Sequence, residues 1–489
     1  MDLEISSKIS SREIIKSMNY NVKLIFGYSA LNSLGQGVWM YSALSMYIYL
    51  LAGTIEGGLW GLSQAVILGL TSAASGITMT IFVFPAGFFA DRFRRDIILK
   101  LAGVIGLASL AFIAFGNNFV YIFISLFLFG MFNALTRPSI EALFADSVTS
   151  GYRSKIYSWV HLVNQVAGAI GPFLSAILFA IFGNNWDIPI LKKVMYIGFS
   201  ISVLSIILLY FFTDKKSLGK ESESIPEEVA QSTEEENTSR LALKVDSVKS
   251  QKLIPILLIS ANLIIGVGAG MTIKYFPVFF SEQYLISPIW LQIIMGGTSL
   301  ATGIFALLGQ KISLKLGRVQ TIFLVQFIAT TCLALITIYP PLWILVPLFI
   351  FRGSFMNAGQ PLSQSILMDI IPKKNRGVWN SIQSIAWGLF WNLSAVIGGF
   401  LIGINNNFNL CFIITTFIYI LGMIPLVIMM PLVGKEREAK QKELEEKFVP
   451  DDKLLILDDI IENKKAPESS YNFTAESLEI EKLVEQELE

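Results

Sequence analysis

A single histidine, His161, and two cysteines, Cys332 and Cys411, leave this chain of 489 residues little with which to ligate a metal or run a redox couple. Each cysteine stands alone in an apolar run, far in sequence from the other, and reads as a small core residue. No G-x-x-x-x-G-K-[ST] loop occurs, and no stretch is both long and folded enough in pattern to be an ATPase domain, so gradients rather than nucleotide would drive any work. No nucleophile-and-base arrangement suggests an enzyme, and no cofactor or metal is expected. The formal net charge is zero, which gives no reason to expect nucleic acid. The first twenty or so residues lack a basic region feeding a short apolar core, so no removable signal peptide is expected.

What the chain has in excess is apolar sequence. It is 53% hydrophobic with a mean hydropathy of +0.61, gathered in runs rather than at amphipathic spacing. Six runs cover residues 24–51, 63–90, 97–116, 119–145, 155–182 and 190–212; six more cover 253–280, 287–310, 319–339, 342–368, 377–403 and 408–433. Each meets the roughly 20 residues that a spanning helix needs. The expected fold is an all-α polytopic membrane protein with twelve transmembrane helices in two six-helix bundles. Residues 1–22 form a cytoplasmic N-terminus, 23–212 and 253–433 the bundles, 213–252 a flexible cytoplasmic linker, and 434–489 an acidic cytoplasmic tail. The end of that tail spaces Leu478, Leu483, Val484 and Leu488 on one helix face, which fits either a docking segment or a solvated tail with transient helix.

Orientation follows from the basic residues. Arg92, Arg94, Arg95 and Lys100, then Arg153 and Lys155, then Lys311, Lys315 and Arg318, then Lys373, Lys374 and Arg376 fall in alternate connections, which places those connections and both termini in the cytoplasm. Lys192 and Lys193 break the pattern on the outer side. The acceptor patterns at Asn237 and Asn472 should then stay free of glycan.

The halves repeat. Pro138, Asp146 and Arg153 recur as Pro361, Asp369 and Arg376, each 223 residues on (361 minus 138). Gly35, Gly37 and Met40 recur as Gly266, Gly268 and Met271, each 231 residues on (266 minus 35). Special residues kept in register imply two pseudo-symmetric bundles about a membrane-normal axis, with a site between them.

The loop after the second run, Gly87-Phe88-Phe89-Ala90-Asp91-Arg92-Phe93-Arg94-Arg95, resembles the signature loop of the major facilitator superfamily, except that Arg94 stands where that family usually has glycine. The resemblance covers residues 20–433 and implies alternating-access transport by two bundles. It also implies that Gly87, Asp91, Arg92, Arg95, Asp146, Arg153, Asp369 and Arg376 belong to a gating charge network at the cytoplasmic surface; the plainer reading is that these charges anchor loops at the headgroups. Drug-proton antiporters of the family usually carry an Arg in the fourth helix where this chain has Phe129, a departure from that branch.

Charges inside the runs are the remaining signal, since an ionisable group at a span's centre costs about 2.5–3.5 kcal/mol on insertion scales. Arg137 and Glu141, four residues apart on one helix face, and His161 at a comparable depth are candidates for proton coupling; otherwise they are a structural pair and a lone histidine. Arg352 is either an anion partner in the cavity or part of a buried inter-helix pair. Lys274, beside Tyr275 and downstream of Gly266, Gly268 and Gly270, either binds a ligand or snorkels outward. Asn32, Gln36, Trp39 and Tyr41 supply a polar and aromatic surface suited to a cavity or to helix packing.

Two functions fit. One is a secondary transporter of a small organic solute, with proton coupling as an option, acting as a monomer in the lipid bilayer. The other is a membrane sensor or scaffold that keeps the fold and acts through its linker and tail. Removing residues 436–489 separates them, because a transporter should keep its ligand response.

Overall fold

The computed structural model describes residues 18–92, 94–116, 118–148, 153–218, 248–371, 386–403 and 406–433, which are helical with no strand among them. In the first half the helices are α1 (Tyr20–Trp39), α2 (Ser42–Gly53), α3 (Gln64–Arg92), α4 (Arg95–Phe115), α5 (Phe119–Ser147), α6 (Arg153–Phe182) and α7 (Ile188–Leu208). In the second they are α8 (Val248–Ile273), α9 (Phe276–Tyr284), α10 (Pro288–Leu316), α11 (Arg318–Ile336), α12 (Leu342–Ala358), α13 (Gln360–Ile370), α14 (Trp391–Gly403) and α15 (Phe408–Met429). A hydrocarbon environment offers backbone groups no water, so such runs satisfy them internally as helix. Starts are set by side chains: Asn19, Asn118 and Asn407 accept from the backbone N–H of Asn21 (2.9 Å), Tyr121 (3.3 Å) and Leu410 (2.9 Å). Proline opens α7, α9 and α10, where its missing N–H costs nothing.

Among the described residues ten helices, the first beginning at Gln64, are long and apolar enough to cross a membrane against the twelve expected, and a shorter apolar helix covers Gly388–Gly403. The first helical rod of the chain, α1 and α2, is not one of the ten: it is interrupted at Met40–Tyr41 and carries the polar side chains of Asn32, Ser33 and Gln36. Its counterpart, α8 and α9, is interrupted at Lys274–Tyr275.

Within the first bundle α1 packs on α6 and α7, and α5 packs on α3 and α4; within the second α8 packs on α14 and α15, and α12 on α10 and α11. Glycines set the closest approaches and correct the repeat's register in the first helices. A Cβ on Gly37 would lie 2.9 Å from Gly171 Cα in α6, and one on Gly35 would lie 3.0 Å from Ser202 N in α7. In the second half Gly270 meets the Trp391 carbonyl of α14, while a Cβ on Gly268 would lie 2.7 Å from the Tyr419 ring of α15. Gly35 therefore matches Gly268 and Gly37 matches Gly270, a shift of 233 (268 minus 35) rather than 231. With that shift Lys274 stands where the first bundle has Tyr41 (274 minus 41), and the two breaks fall within one residue of each other.

Order extends into the segment expected to be a flexible linker. Asn21 donates to the Thr213 carbonyl (3.0 Å), Asn19 to that of Lys216 (2.6 Å), and the Leu218 N–H donates to that of Asp146 (2.8 Å). The Lys216 ammonium lies 3.7 Å from the centre of the Tyr20 ring. Residues 219–247 and 434–489, which hold most of the expected linker and the whole expected tail, lie outside the described residues.

Candidate functional site

The two bundles meet along α3 with α14 and α6 with α10. Small residues permit this approach: a Cβ on Gly69 would lie 2.6 Å from the Ala395 carbonyl oxygen, and one on Gly399 would lie 2.6 Å from that of Ala65. The Tyr275 hydroxyl sits in the same seam, 2.5 Å from the Ala395 carbonyl oxygen and 3.1 Å from that of Ala65, so one donor serves both bundles. Gln292 donates to Ser42 (2.6 Å), Trp186 to the Ile286 carbonyl (2.8 Å), and the Ile289 N–H to Asn184 (3.0 Å). Together with the Ser72–Asn392 hydrogen bond of 3.0 Å, these contacts join the bundles in the half remote from the basic loops.

Beneath this seam lies a cavity shared by the bundles. Met40, Leu44, Ser45 and Ile48 line it from around the first break, and Leu68, Thr71, Ser72 and Ser75 from α3. Leu126 of α5, Lys274 at the second break and Asn392 of α14 complete the lining. Several polar groups here already have partners: Ser45 donates to the Tyr41 carbonyl (2.8 Å), Thr71 to that of Leu68 (2.8 Å), and Asn392 to that of Gly388 (2.7 Å). Lys274 faces the cavity rather than the outer headgroups, and among the described residues no charged group lies close enough to act on its ammonium.

The other expected cavity residues separate. Asn32 and Gln36 bond to each other (3.0 Å) on α1, a turn or more toward the basic end from Met40. Trp39 does not line the cavity: its indole N–H donates to Ser202 (3.0 Å), and its ring packs edge-on against Phe129 and Phe199. Phe129, where the antiporter branch carries its Arg, is thus part of an aromatic core. Tyr275 belongs to the seam. Arg352 is buried inside the second bundle, its guanidinium 4.3 Å from the Phe276 ring centre and 5.4 Å from that of Phe349, near Tyr419 and Cys332. No ion pair between described residues includes it, so aromatic faces stand in for the carboxylate that an inter-helix pair would need.

Arg137 and Glu141 are electrostatic neighbours on α5 without forming a contact ion pair, and both are exposed. Glu141 lies near Tyr157 of α6, and Arg137 near Tyr28 and Tyr41 of the first rod. His161 is also exposed, but it is not among the charge neighbours of Glu141, so the expected cluster of three is brought together only as a pair.

At the basic end Arg95 forms an ion pair with Asp146, joining the start of α4 to the end of α5. Arg94 binds Asp96 at 2.8 Å and Lys100 lies 3.8 Å from the same carboxylate. Arg94, in place of the usual glycine, has φ −60 and ψ 124, a conformation open to any residue, so the turn needs no glycine. Asp214 reaches the start of α4, where its carboxylate accepts from the Asp96 N–H (3.5 Å); burial pushes its pKa above the ordinary 3.8, opposed by these backbone hydrogen bonds. In the second half Arg318, 223 residues after Arg95 (318 minus 95), donates to Ser365 at 2.5 Å. Gly87 lies within α3, and the side chains of Asp91, Arg92, Arg153 and Asp369 and all of Arg376 lie outside the described residues.

Sequence reasoning overlooked Ser45, Thr71, Ser72, Ser75 and Asn392. Their signal was available as small polar groups inside apolar runs, with Thr71, Ser72 and Ser75 on consecutive turns of one helix.

Among curated proteins, the Na(+), Li(+), K(+)/H(+) antiporter of Planococcus maritimus is 29% identical over 161 residues, 32% of this chain and 35% of that protein. Efflux pump azaK of Aspergillus niger is 24% identical over 322 residues, covering 62% and 65%. The chain thus spans less than two thirds of the length of either relative. The fold matches solved structures of a D-xylose-proton symporter (TM-score 0.63, 16% identical, 85% of this chain and 98% of that one) and of a point mutant of the nucleoside transporter NupG (TM-score 0.60, 13% identical, 84% and 100%). All four carry names of transporters, not of enzymes. The sequence profile of the Major Facilitator Superfamily matches residues 25–284 and 258–467, most of the chain, and with the two-bundle fold it establishes that the chain belongs to that superfamily.

Proposed function

We propose that this protein is a secondary active transporter that carries a small organic solute across the membrane by alternating access. The observation that supports the reading best is that the two helix breaks, Met40–Tyr41 and Lys274–Tyr275, fall within one residue of each other in the repeat and line one cavity between bundles that are hydrogen-bonded together in the half remote from the basic connections. Interrupted helices in corresponding positions of two repeats expose backbone polar groups where a ligand can use them. Basic connections lie on the cytoplasmic side by the positive-inside rule, so both termini are cytoplasmic and the structure is the inward-facing state with its outer half shut. In the opposite state the network of Gly87, Asp91, Arg92, Arg95, Asp146, Arg153, Asp369 and Arg376 latches the cytoplasmic end. Glu141, with Arg137 beside it, is the group through which a proton is coupled; His161 stands apart from it. The unit of function is a monomer. The names of the antiporter and the symporter support gradient-driven work and leave the solute open.

The test is a distance measurement between spin labels at Glu56→Cys and Glu282→Cys, exposed positions at the outer ends of the two bundles. Two populations whose ratio shifts with pH or solute are expected, the shorter matching the shut seam. One distance under all conditions, in protein reconstituted in lipid, would sink the proposal. The scaffold reading has no observation in its favour, since most of the linker and the whole tail lie outside the described residues.

A further inference from the structure

We infer that the cavity between the bundles binds a small organic monocarboxylate, with Lys274 as the residue that recognises its charge. The inference rests on the transport reading above and gives it a substrate class. More than five residues from either end of a helical rod, the described fixed charges are Arg137, Lys274 and Arg352 against the single carboxylate of Glu141. Arg137 has Glu141 as its neighbour, and Arg352 lies over the Phe276 and Phe349 rings. Lys274 has neither: among the described residues no charged side chain and no aromatic face lies at its ammonium, which lines a cavity walled from the outside by the seam. A desolvated ammonium is stabilised by an anion far more in such a site than in water, and a carboxylate supplies the missing charge and two acceptors.

The rest of the lining fits the remainder of such a molecule. Asn392 lines the same cavity and gives one amide N–H to the Gly388 carbonyl, so its second N–H is a donor for a carboxylate's second oxygen, while the Thr71 and Ser72 hydroxyls are committed to the Leu68 carbonyl and to Asn392. Leu44, Ile48 and Leu126 form an apolar wall that a short hydrocarbon body would cover. A cation is disfavoured by the ammonium itself, and a dianion would leave one charge unpaired among leucines. The break at Lys274–Tyr275 places the residue at the joint between α8 and α9, so an ion held there bears on the piece of helix that carries Tyr275 into the seam.

The experiment compares three probes of one length, hexanoate, hexanamide and hexylammonium, each at about 10 mM, which would load even a weak millimolar site. Thermal unfolding of the full chain in detergent is followed for the wild type and for Lys274→Gln, Lys274→Met and Lys274→Arg. Hexanoate alone should raise the unfolding temperature of the wild type. Its apparent affinity should fall about tenfold to a hundredfold in the Gln and Met variants, the usual effect of losing a charge-assisted hydrogen bond, and partly return with Arg. The unfolding temperatures of the ligand-free variants show whether each has folded, and two neutral replacements guard against the failure of one. An unchanged response to hexanoate in a folded neutral variant, no response in the wild type, or stabilisation by hexylammonium would each overturn the inference. The spin-label distances separate the two readings: labels that switch while hexanoate fails leave transport standing without this substrate class, and labels that never move remove transport whatever binds.

Discussion

Tyr275 holds the shut seam with one hydroxyl, donated toward carbonyl oxygens on both bundles. Only the 3.1 Å contact to Ala65 crosses the seam, because Tyr275 and Ala395 belong to the same bundle, so removing the hydroxyl costs the shut state one inter-bundle hydrogen bond, about 0.5–1.5 kcal/mol. Tyr275→Phe should therefore shift the spin-label populations at positions 56 and 282 toward the longer distance by about twofold to tenfold. An unchanged ratio would mean that packing, not the hydroxyl, holds the seam. Asp214 allows a test by pH. Its folded pKa lies above the ordinary 3.8, because burial disfavours the charged carboxylate. The ionised form is thus the one that folding disfavours, and this group's contribution to stability declines as pH rises from 3.8 through the higher folded value. Asp214→Asn lacks that decline, so the variant's unfolding temperature should gain on the wild type across that window and run parallel above it. A gain as pH falls would contradict the burial account.

At the scale of helices, the glycines in the seam make a size test. A side chain on Gly69 or Gly399 would run into a carbonyl of the opposite bundle, and backbone cannot rotate away as a flexible side chain can. Overpacking of this kind costs about 1–3 kcal/mol. Gly69→Leu should therefore populate the outward-open state, seen as faster alkylation of a cysteine placed at Ser45 from the outer side, while Gly171→Leu, inside one bundle, should lower the unfolding temperature instead. Equal behaviour of the two would show that the seam is not a moving joint. How much of this was legible in the sequence depends on what each residue must do. The helices were, because twenty apolar residues in lipid have one way to satisfy their backbone. Lys274 was also visible, since a charge in an apolar run is conspicuous without a structure. The fate of Trp39 was not: whether an indole lines a cavity or donates to Ser202 depends on rotation of α1 about its axis, which a nearly all-apolar helix does not encode. The register of the repeat failed for a related reason. Gly266, Gly268 and Gly270 alternate, so a two-residue slip keeps glycine over glycine, and only the opposing helices distinguish the alignments.

For the molecule as a whole, the inward-facing reading depends on which end is cytoplasmic. Expressed in a host that adds N-glycans, the chain should carry none at Asn237 or Asn472; glycan at either would invert the topology and make this the outward-facing state. Proton coupling is also a whole-molecule property. Glu141→Gln should leave ligand binding within about threefold while flattening the pH dependence of uptake into proteoliposomes, since it removes a titrating group without altering shape. A pH profile unchanged by this substitution would assign the proton elsewhere.

Apart from the Ser72–Asn392 hydrogen bond and the Tyr275 hydroxyl, the contacts that draw α3 and α14 together use peptide carbonyls and the absence of side chains. Every residue has a carbonyl, so the joint is largely blind to the chemical identity of its neighbours and alert only to their volume. Lineages can exchange alanine for serine there, or redraw the surrounding apolar surface, without moving the hinge. A joint held together largely in this way can diverge until little of its text is shared while its geometry is kept, which accords with a fold kept at 13–16% identity.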